Sequence, residues 1–411
     1  MAGVKERGPR RIAITGIGSI TALGRDVDAL AHGLRTGRCG IRELSVLPQE
    51  GFRSSCAAEV NDLTLSPLLP RPIARRASRS ARLALIAAAE AWESAGLPAD
   101  EGARTGIVLG TTTGGMSRGE RIYEDTMARR ARKSRMTDWL ETPVATVADS
   151  VAQALGCFGP RLTLSTACSS SAHAMGTAAD WIHSGRAERV LAGGADALCL
   201  MTYSGFDSLH ALDPSPCRPF DKHRAGLTLG EGAAFFVFEA WDHAIERGAH
   251  PLAEFVGYGV SSDAHHLTQP SPDAAGPMLA MQVALQRTGL APEEIDYVNA
   301  HGTGTPLNDV VETRAIKQVF GSHAYRIPVS STKSMHGHCL AAAGAIEAVA
   351  SVIAIREGFV PPTATLREPD PECDLDYVPG ESRPAPLRTV MSNSYGFGGN
   401  NASVVIRAAQ D

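Results

Sequence analysis

The chain has 411 residues, 44% of them hydrophobic and 20% charged, with 39 Lys and Arg against 44 Asp and Glu for a formal net charge of -5. That length accommodates two ordinary domains or one large composite one, and the acidic balance excludes nucleic acid as the main partner, which wants a basic face. Eight cysteines occur without a Cys-x-x-Cys pair, so neither a zinc site nor a disulfide framework is indicated, and reduced thiols in a cytoplasmic setting fit best.

In chain order, residues 12–19 (Ile-Ala-Ile-Thr-Gly-Ile-Gly-Ser) read as a first strand. Arg10-Arg11 stand before it, but the apolar run is too short and too glycine-broken for an export signal. A basic cluster follows at Arg71, Arg75, Arg76, Arg79 and Arg82, the last of them inside a helical pattern over 80–95. Residues 106–113 read as a strand opening into a Gly/Thr turn. The stretch 117–146, with Arg129, Arg130, Arg132, Lys133 and Arg135, reads as an insertion. A β-like segment at 162–165 runs into a small-residue helix over 171–184, and 189–195 is another strand. Pro214, Pro216 and Pro219 predict loops across 201–228. In the remainder, 254–261, 295–299 and 327–330 are β-like, and 277–288 is helical and closed by Gly289. The apolar run 339–355 is interrupted by Glu347 and too short to span a membrane, so it reads as a core helix. Prolines at 361–362 and 369–371 mark a turn-rich excursion, and 392–401 is a glycine-rich turn after a last strand.

Segments of the two halves echo one another in four pairs, in the same order: 12–19 with 254–261, 106–113 with 297–304, 162–179 with 327–346, and 189–195 with 388–394. The pattern predicts two duplicated halves, 1–250 and 251–411. Strands alternating with helices place the chain in the α/β class, with sheets covered on both faces.

Each half ends strands in reactive groups. Cys168, at a strand-to-helix junction among Ala167, Ser169, Ser170 and Ser171, faces the unpaired N–H groups of a helix start, which predicts a lowered thiol pKa. His301, in His-Gly-Thr-Gly-Thr-Pro, and His338, in Lys333-Ser-Met-His-Gly-His, both follow strand-like runs in glycine-rich turns. Two imidazoles opposite a thiol suit acyl chemistry. The turn Ser-Tyr-Gly-Phe-Gly-Gly at 394–399 lets backbone N–H groups approach a developing oxyanion.

Thr-Ala-Cys-Ser at 166, His-Gly-Thr-Gly-Thr-Pro at 301, Lys-Ser-x-x-Gly-His at 333 and Gly-Phe-Gly-Gly at 396 together resemble the two-histidine β-ketoacyl-(acyl carrier protein) synthases. The chain is similar to synthase II of fatty-acid synthesis and to the ketosynthase subunits of type II polyketide systems. The resemblance implies the thiolase-like fold, a five-layered αβαβα arrangement of two duplicated halves. It implies that Cys168 takes an acyl group from a carrier-protein phosphopantetheine thioester, with the N–H groups of Cys168 and Phe397 as oxyanion donors. His301 and His338 then stabilise the enolate left by malonyl decarboxylation. No metal or redox cofactor is required, since the phosphopantetheine arrives on the acyl carrier protein.

By the same resemblance Lys333 is the site lysine and Glu347 its charge partner, while Thr303 and Thr305 hold the pantetheine arm. Phe397 is a gate, and Asp309 and Glu312 form a supporting network around the histidines. The implied partners are an acidic acyl carrier protein, docked by Arg129, Arg130, Arg132, Lys133, Arg75 and Arg76, and a second subunit, a copy of this chain or a chain-length factor. Neither nucleic acid nor a membrane is implied. Asn400 and Leu227 depart from the family's usual Thr and Phe, and Thr112 and Thr113 predict a more polar acyl pocket. His173 and His336 read as structural. Chain-length factors lack the cysteine, which this chain keeps. Ser330-x-x-Lys333 lacks the motifs that accompany a serine acyl-enzyme. A thiolase would show a second cysteine in the C-terminal glycine-rich turn, and Gly16-Ile-Gly18 fails as a dinucleotide fingerprint at Thr21.

Overall fold

The computed structural model describes residues 10–65, 69–128 and 136–410. The glycine-punctuated first segment forms β1 (Ile12–Ile20), buried along its whole length. The first half continues with β2 (Thr105–Gly110), β3 (Arg161–Leu164), β4 (Arg189–Asp196) and β5 (Gly232–Ala240), hydrogen-bonded in the order β3-β2-β4-β5-β1. The second half has β6 (Ala253–Ser262), β7 (Tyr297–Asn299), β8 (Val329–Ser330), β9 (Thr389–Gly396) and β10 (Asn400–Ala408), in the order β8-β7-β9-β10-β6. The two orders are the same once strands are numbered within each half. Strand directions agree as well: β2 is parallel to β3 and β4, as β7 is to β8 and β9, and the remaining pairs are antiparallel.

The half-sheets meet edge to edge where Ile12, Ala13 and Ile14 pair antiparallel with Phe255, Glu254 and Ala253. Arg11 reinforces this seam, stacking on Trp241 at 3.8 Å while Nη2 donates to Glu254 at 2.9 Å. Helix α1 (Arg79–Ser94) covers the outer face of the first half-sheet, against β1 and β5. α2 (Ser170–His183) packs on β4 and β2 from the opposite side. In the second half, α4 (Ala275–Thr288) covers β6 and β10, and α5 (Asn308–Phe320) lies against α4. The run around Glu347 forms α6 (Ala343–Glu357), buried from Ala343 through Ile355. It touches β5 and β9, so with α2 it fills the layer between the half-sheets. A helix apolar on every side suits that position. The layers are αβαβα.

One stretch expected as loop is partly helical. α3 (Leu200–Ser208) occupies the start of 201–228 because the Glu120 carboxylate accepts the N–H of Leu200 at 3.1 Å and of Met201 at 2.7 Å, satisfying two donors of the first turn. Within 117–146 the described residues are helical at Met116–Met127 and Met136–Trp139. No helix among the described residues is long and apolar enough to cross a membrane.

The duplication extends to a shared contact. A Cβ on Gly18 of β1 would lie 2.1 Å from the Ala87 carbonyl oxygen of α1, and one on Gly259 of β6 would lie 2.1 Å from that of Ala280 of α4. We expect Gly18→Ala and Gly259→Ala each to lower unfolding free energy by about 1–3 kcal/mol, since backbone must shift to admit the methyl group. Gly205→Ala, with nothing within 4 Å of its added Cβ, is the control, and all three are compared by denaturant midpoints.

Candidate active site

β3 ends at Leu164, and Ala167 then turns the chain at φ 52°, a left-handed value costly for a residue with a Cβ. Cys168 follows, just before α2 begins at Ser170. Short side chains lash this turn: Ser170 Oγ accepts Thr166 N–H at 2.8 Å and donates to Ala167 O at 2.6 Å, and Ser169 Oγ donates to Thr166 O at 2.8 Å. Gly396 closes over it, where a Cβ would stand 3.2 Å from Cys168 N. The backbone N–H groups of Phe397 and Cys168 serve the sulfur, and Lys333 also favours the thiolate, yet burial outweighs all three and pushes the thiol up to about 11. The lowering expected from the helix start is thus reversed, because desolvation of a 6% exposed cysteine is the larger effect.

The two histidines come from the other half. His301 follows β7, and its own N–H and that of Gly302 both donate to Glu312 at 2.8 Å. Asp309 ties the rest of that loop by accepting Phe220 N–H at 2.7 Å and Gly304 N–H at 3.2 Å. Thr303 and Thr305 hydroxyls meet at 2.9 Å. Lys333, fully buried, donates to the His301 carbonyl at 2.6 Å, faces His301 Nδ1 at 3.2 Å and pairs with buried Glu347. Leu340 N–H donates to His338 Nδ1 at 3.2 Å. A donor therefore faces Nδ1 of each ring, which leaves Nε2 to carry the ring hydrogen. Burial and the Lys333 charge hold both imidazoles well below the usual histidine range, so both are neutral N–H donors. Their rings lie 5.4 Å apart, nearly perpendicular at 86°. Burial pushes Glu312 and Glu347 up to about 7.

Cys168, His301, His338, Thr303, Thr305, Leu227 and Phe397 line one cavity of about 290 Å³. Phe397 stacks on Phe206 of α3 at 5.3 Å. Thr113 and Asn400 are outside that lining. The Thr112 and Thr113 hydroxyls are both bound to Asp196, at 2.5 and 2.8 Å, so neither is available to make the pocket polar. The Asn400 amide donates instead to Phe397 O at 3.2 Å. Arg75 and Arg76 are exposed, and Arg75 shares a surface groove with Leu65, Arg71 and Arg82. Arg129, Arg130, Arg132 and Lys133 lie outside the described residues. His173 Nδ1 faces Ser169 O at 3.0 Å, and His336 lies between Thr332 Oγ1 and Gly337 O.

Sequence reasoning missed two residues of this site. Phe206 lay in a stretch read as loop, where no periodicity marked it. Asp196 ends β4 and was passed over as the last residue of Gly-Gly-Ala-Asp, although a carboxylate closing a buried strand must find donors.

Models of the β-ketoacyl synthase N-terminal and C-terminal domains match residues 9–244 and 252–367. "Nodulation protein E" of Rhizobium meliloti is 42% identical over 401 residues, covering 97% of this chain and 99% of that protein. "3-oxoacyl-[acyl-carrier-protein] synthase 2" of Coxiella burnetii is 40% identical over 411 residues, covering 98% and 99%. Among solved structures, "The ishigamide ketosynthase/chain length factor" superposes with a TM-score of 0.93 at 36% identity, covering 98% of this chain and 100% of that one.

The buried thiol makes a kinetic prediction. Alkylation of Cys168 by iodoacetamide, followed by peptide mass spectrometry, should rise roughly tenfold per pH unit without levelling off below about pH 10, because the thiolate fraction keeps growing up to the pKa. A plateau near neutral pH would mean that the helix start prevails over burial.

Proposed function

The chain belongs to the β-ketoacyl synthase family and is an acyltransferase of chain elongation, and from that premise we propose that Cys168 carries the growing acyl group while His301 and His338 act on the extender. In the first half-reaction the Cys168 sulfur attacks the carbonyl of an acyl thioester on a carrier protein. The S–H bond breaks as the new C–S bond forms, and the proton leaves with the carrier thiol. The N–H groups of Cys168 and Phe397 receive the oxyanion of the tetrahedral intermediate. In the second half-reaction a malonyl thioester loses carbon dioxide, and the C–C electron pair becomes an enolate whose oxygen accepts hydrogen bonds from the two Nε2–H groups. Its carbon then attacks the acyl carbonyl, the C–S bond to Cys168 breaks, and the thiolate takes up a proton. Atoms and charge balance without a metal or redox carrier.

One observation carries the reading: a donor faces Nδ1 of each histidine, so a neutral pair has no hydrogen to present except at Nε2. Cationic imidazoles would bind the malonyl carboxylate tightly and oppose its loss. Neutral donors strengthen their bonds only as negative charge moves onto the thioester oxygen. Thr303 and Thr305 at the cavity wall hold the pantetheine arm, Phe397 gates the cavity, and Lys333 with Glu347, Asp309 and Glu312 positions the pair. Leu227 and the neighbouring apolar wall admit an acyl chain.

Both thioesters arrive on an acyl carrier protein, drawn to the exposed arginines around Arg75 and Arg76. The second subunit is a copy of this chain or a chain-length factor, and the protein works in the cytoplasm. Intact-protein mass after incubation with acyl-carrier thioesters tests the first step: an acyl adduct is expected on the protein and none on Cys168→Ala. His301→Ala and His338→Ala should keep the adduct and each lose carbon dioxide release from malonyl-carrier protein by on the order of 100- to 1000-fold, as for loss of one oxyanion donor. No adduct on the isolated chain would remove the self-sufficient homodimer and require a separate partner subunit.

A further inference from the structure

Asp196 is fully buried at the end of β4, in the first half, and its carboxylate accepts from six neutral donors. Five belong to one loop after β2: Thr111 Oγ1 at 2.6 Å, Thr112 N at 3.0 Å, Thr112 Oγ1 at 2.5 Å, Thr113 N at 2.9 Å and Thr113 Oγ1 at 2.8 Å. The sixth crosses to the second half, where Ala341 N–H donates to Oδ2 at 2.9 Å. Ala341 directly follows Leu340, which stands at φ 52°. A leucine does not hold that left-handed conformation without help from its surroundings. In it, the Leu340 N–H donates to His338 Nδ1 at 3.2 Å, the bond that decides which ring nitrogen carries hydrogen.

We propose that Asp196 is a positioning residue of the decarboxylation step: by anchoring Ala341 N–H it holds Leu340 in its left-handed turn and so keeps His338 in the Nε2–H form. Asp196 meets neither imidazole. It acts through two consecutive backbone N–H groups, its own hold on Ala341 and the hold of Leu340 on the ring. The threonine loop supplies the counterpart, since five donors fix the carboxylate so that Oδ2 cannot turn from Ala341. The proposal rests on the assignment of His338 to enolate stabilisation, so its test separates the two.

The test compares the half-reactions in the full-length protein, as carbon dioxide release from malonyl-carrier protein and as Cys168 acylation by an acyl-carrier thioester followed by mass. Asp196→Asn presents an amide where an acceptor is needed. We expect release to fall on the order of a hundredfold, the cost of a misplaced reacting group, while acylation changes by a few-fold at most. Adding Leu340→Gly to that variant should recover part of the lost rate, because glycine adopts positive φ without an anchor. If Asp196→Asn does not fold, Asp196→Ser, which keeps one acceptor oxygen, carries the same comparison. Equal loss of both half-reactions, or no recovery with Leu340→Gly, would reduce Asp196 to a structural residue and overturn the proposal. If His338→Ala itself leaves release intact, the assignment of His338 has failed. If His338→Ala abolishes release and Asp196→Asn does not touch it, only the role of Asp196 has failed.

Discussion

The ammonium of Lys333 is the charge on which the site depends. It is buried, and a cation taken out of water is tolerated only with partners close at hand. Glu347 supplies the countercharge, and the His301 carbonyl and Nδ1 supply neutral acceptors. The same charge depresses both histidines and pulls against burial at Cys168. One side chain therefore favours neutral donors for the extender and a more accessible anion at the nucleophile. Three polar atoms nearby, Glu347 Oε2, Asn299 Oδ1 and Ser392 Oγ, have no protein partner, which shows how far this interior departs from an apolar core.

The architecture explains why such a polar interior can exist. Cys168 comes from the end of β3, and His301 and His338 from beyond β7 and β8, the corresponding strands and their neighbours in the two halves. The half-sheets touch at their edges through only a short run of β1 and β6, while α2 and α6 fill the space between them. Each half delivers its reactive groups from strand ends on rigid elements, so the geometry between nucleophile and histidines is a property of the packing between halves.

Much of this was legible in the residues, for physical reasons that also explain what was not. Glycines at 16 and 18 recur at 257 and 259 because a helix crosses each strand closely, its backbone lying against 16, 18 and 259 and the Thr288 methyl against 257, so the first echo could be read directly. The equivalence of β5 and β10 in the two halves has no such signal, because both are covered on two faces, and Gly-Ala-Ala-Phe-Phe-Val-Phe and Asn-Asn-Ala-Ser-Val-Val-Ile share little but apolar bulk. α3 escaped because its first turn is capped by Glu120, a residue far away in sequence. At the site, residue types and strand-end positions pointed to Cys168 and the histidines. The direction of the Cys168 shift was misread because a helix start can be seen in sequence, whereas the depth of burial cannot. Thr112 and Thr113 looked like pocket lining for a similar reason, since their true partner, Asp196, stands more than eighty residues away.

The cavity that holds the sulfur also holds both imidazoles and the hydroxyls of Thr303 and Thr305. Two carrier-borne thioesters cannot occupy that space together, so the carriers must take turns at the same mouth. The reaction order is then ping-pong, and each carrier competes with the other for whichever covalent state of Cys168 it does not serve. A large excess of extender over primer would slow the enzyme by occupying the unacylated form, which gives the ratio of the two thioester pools direct control over how often a new chain is started.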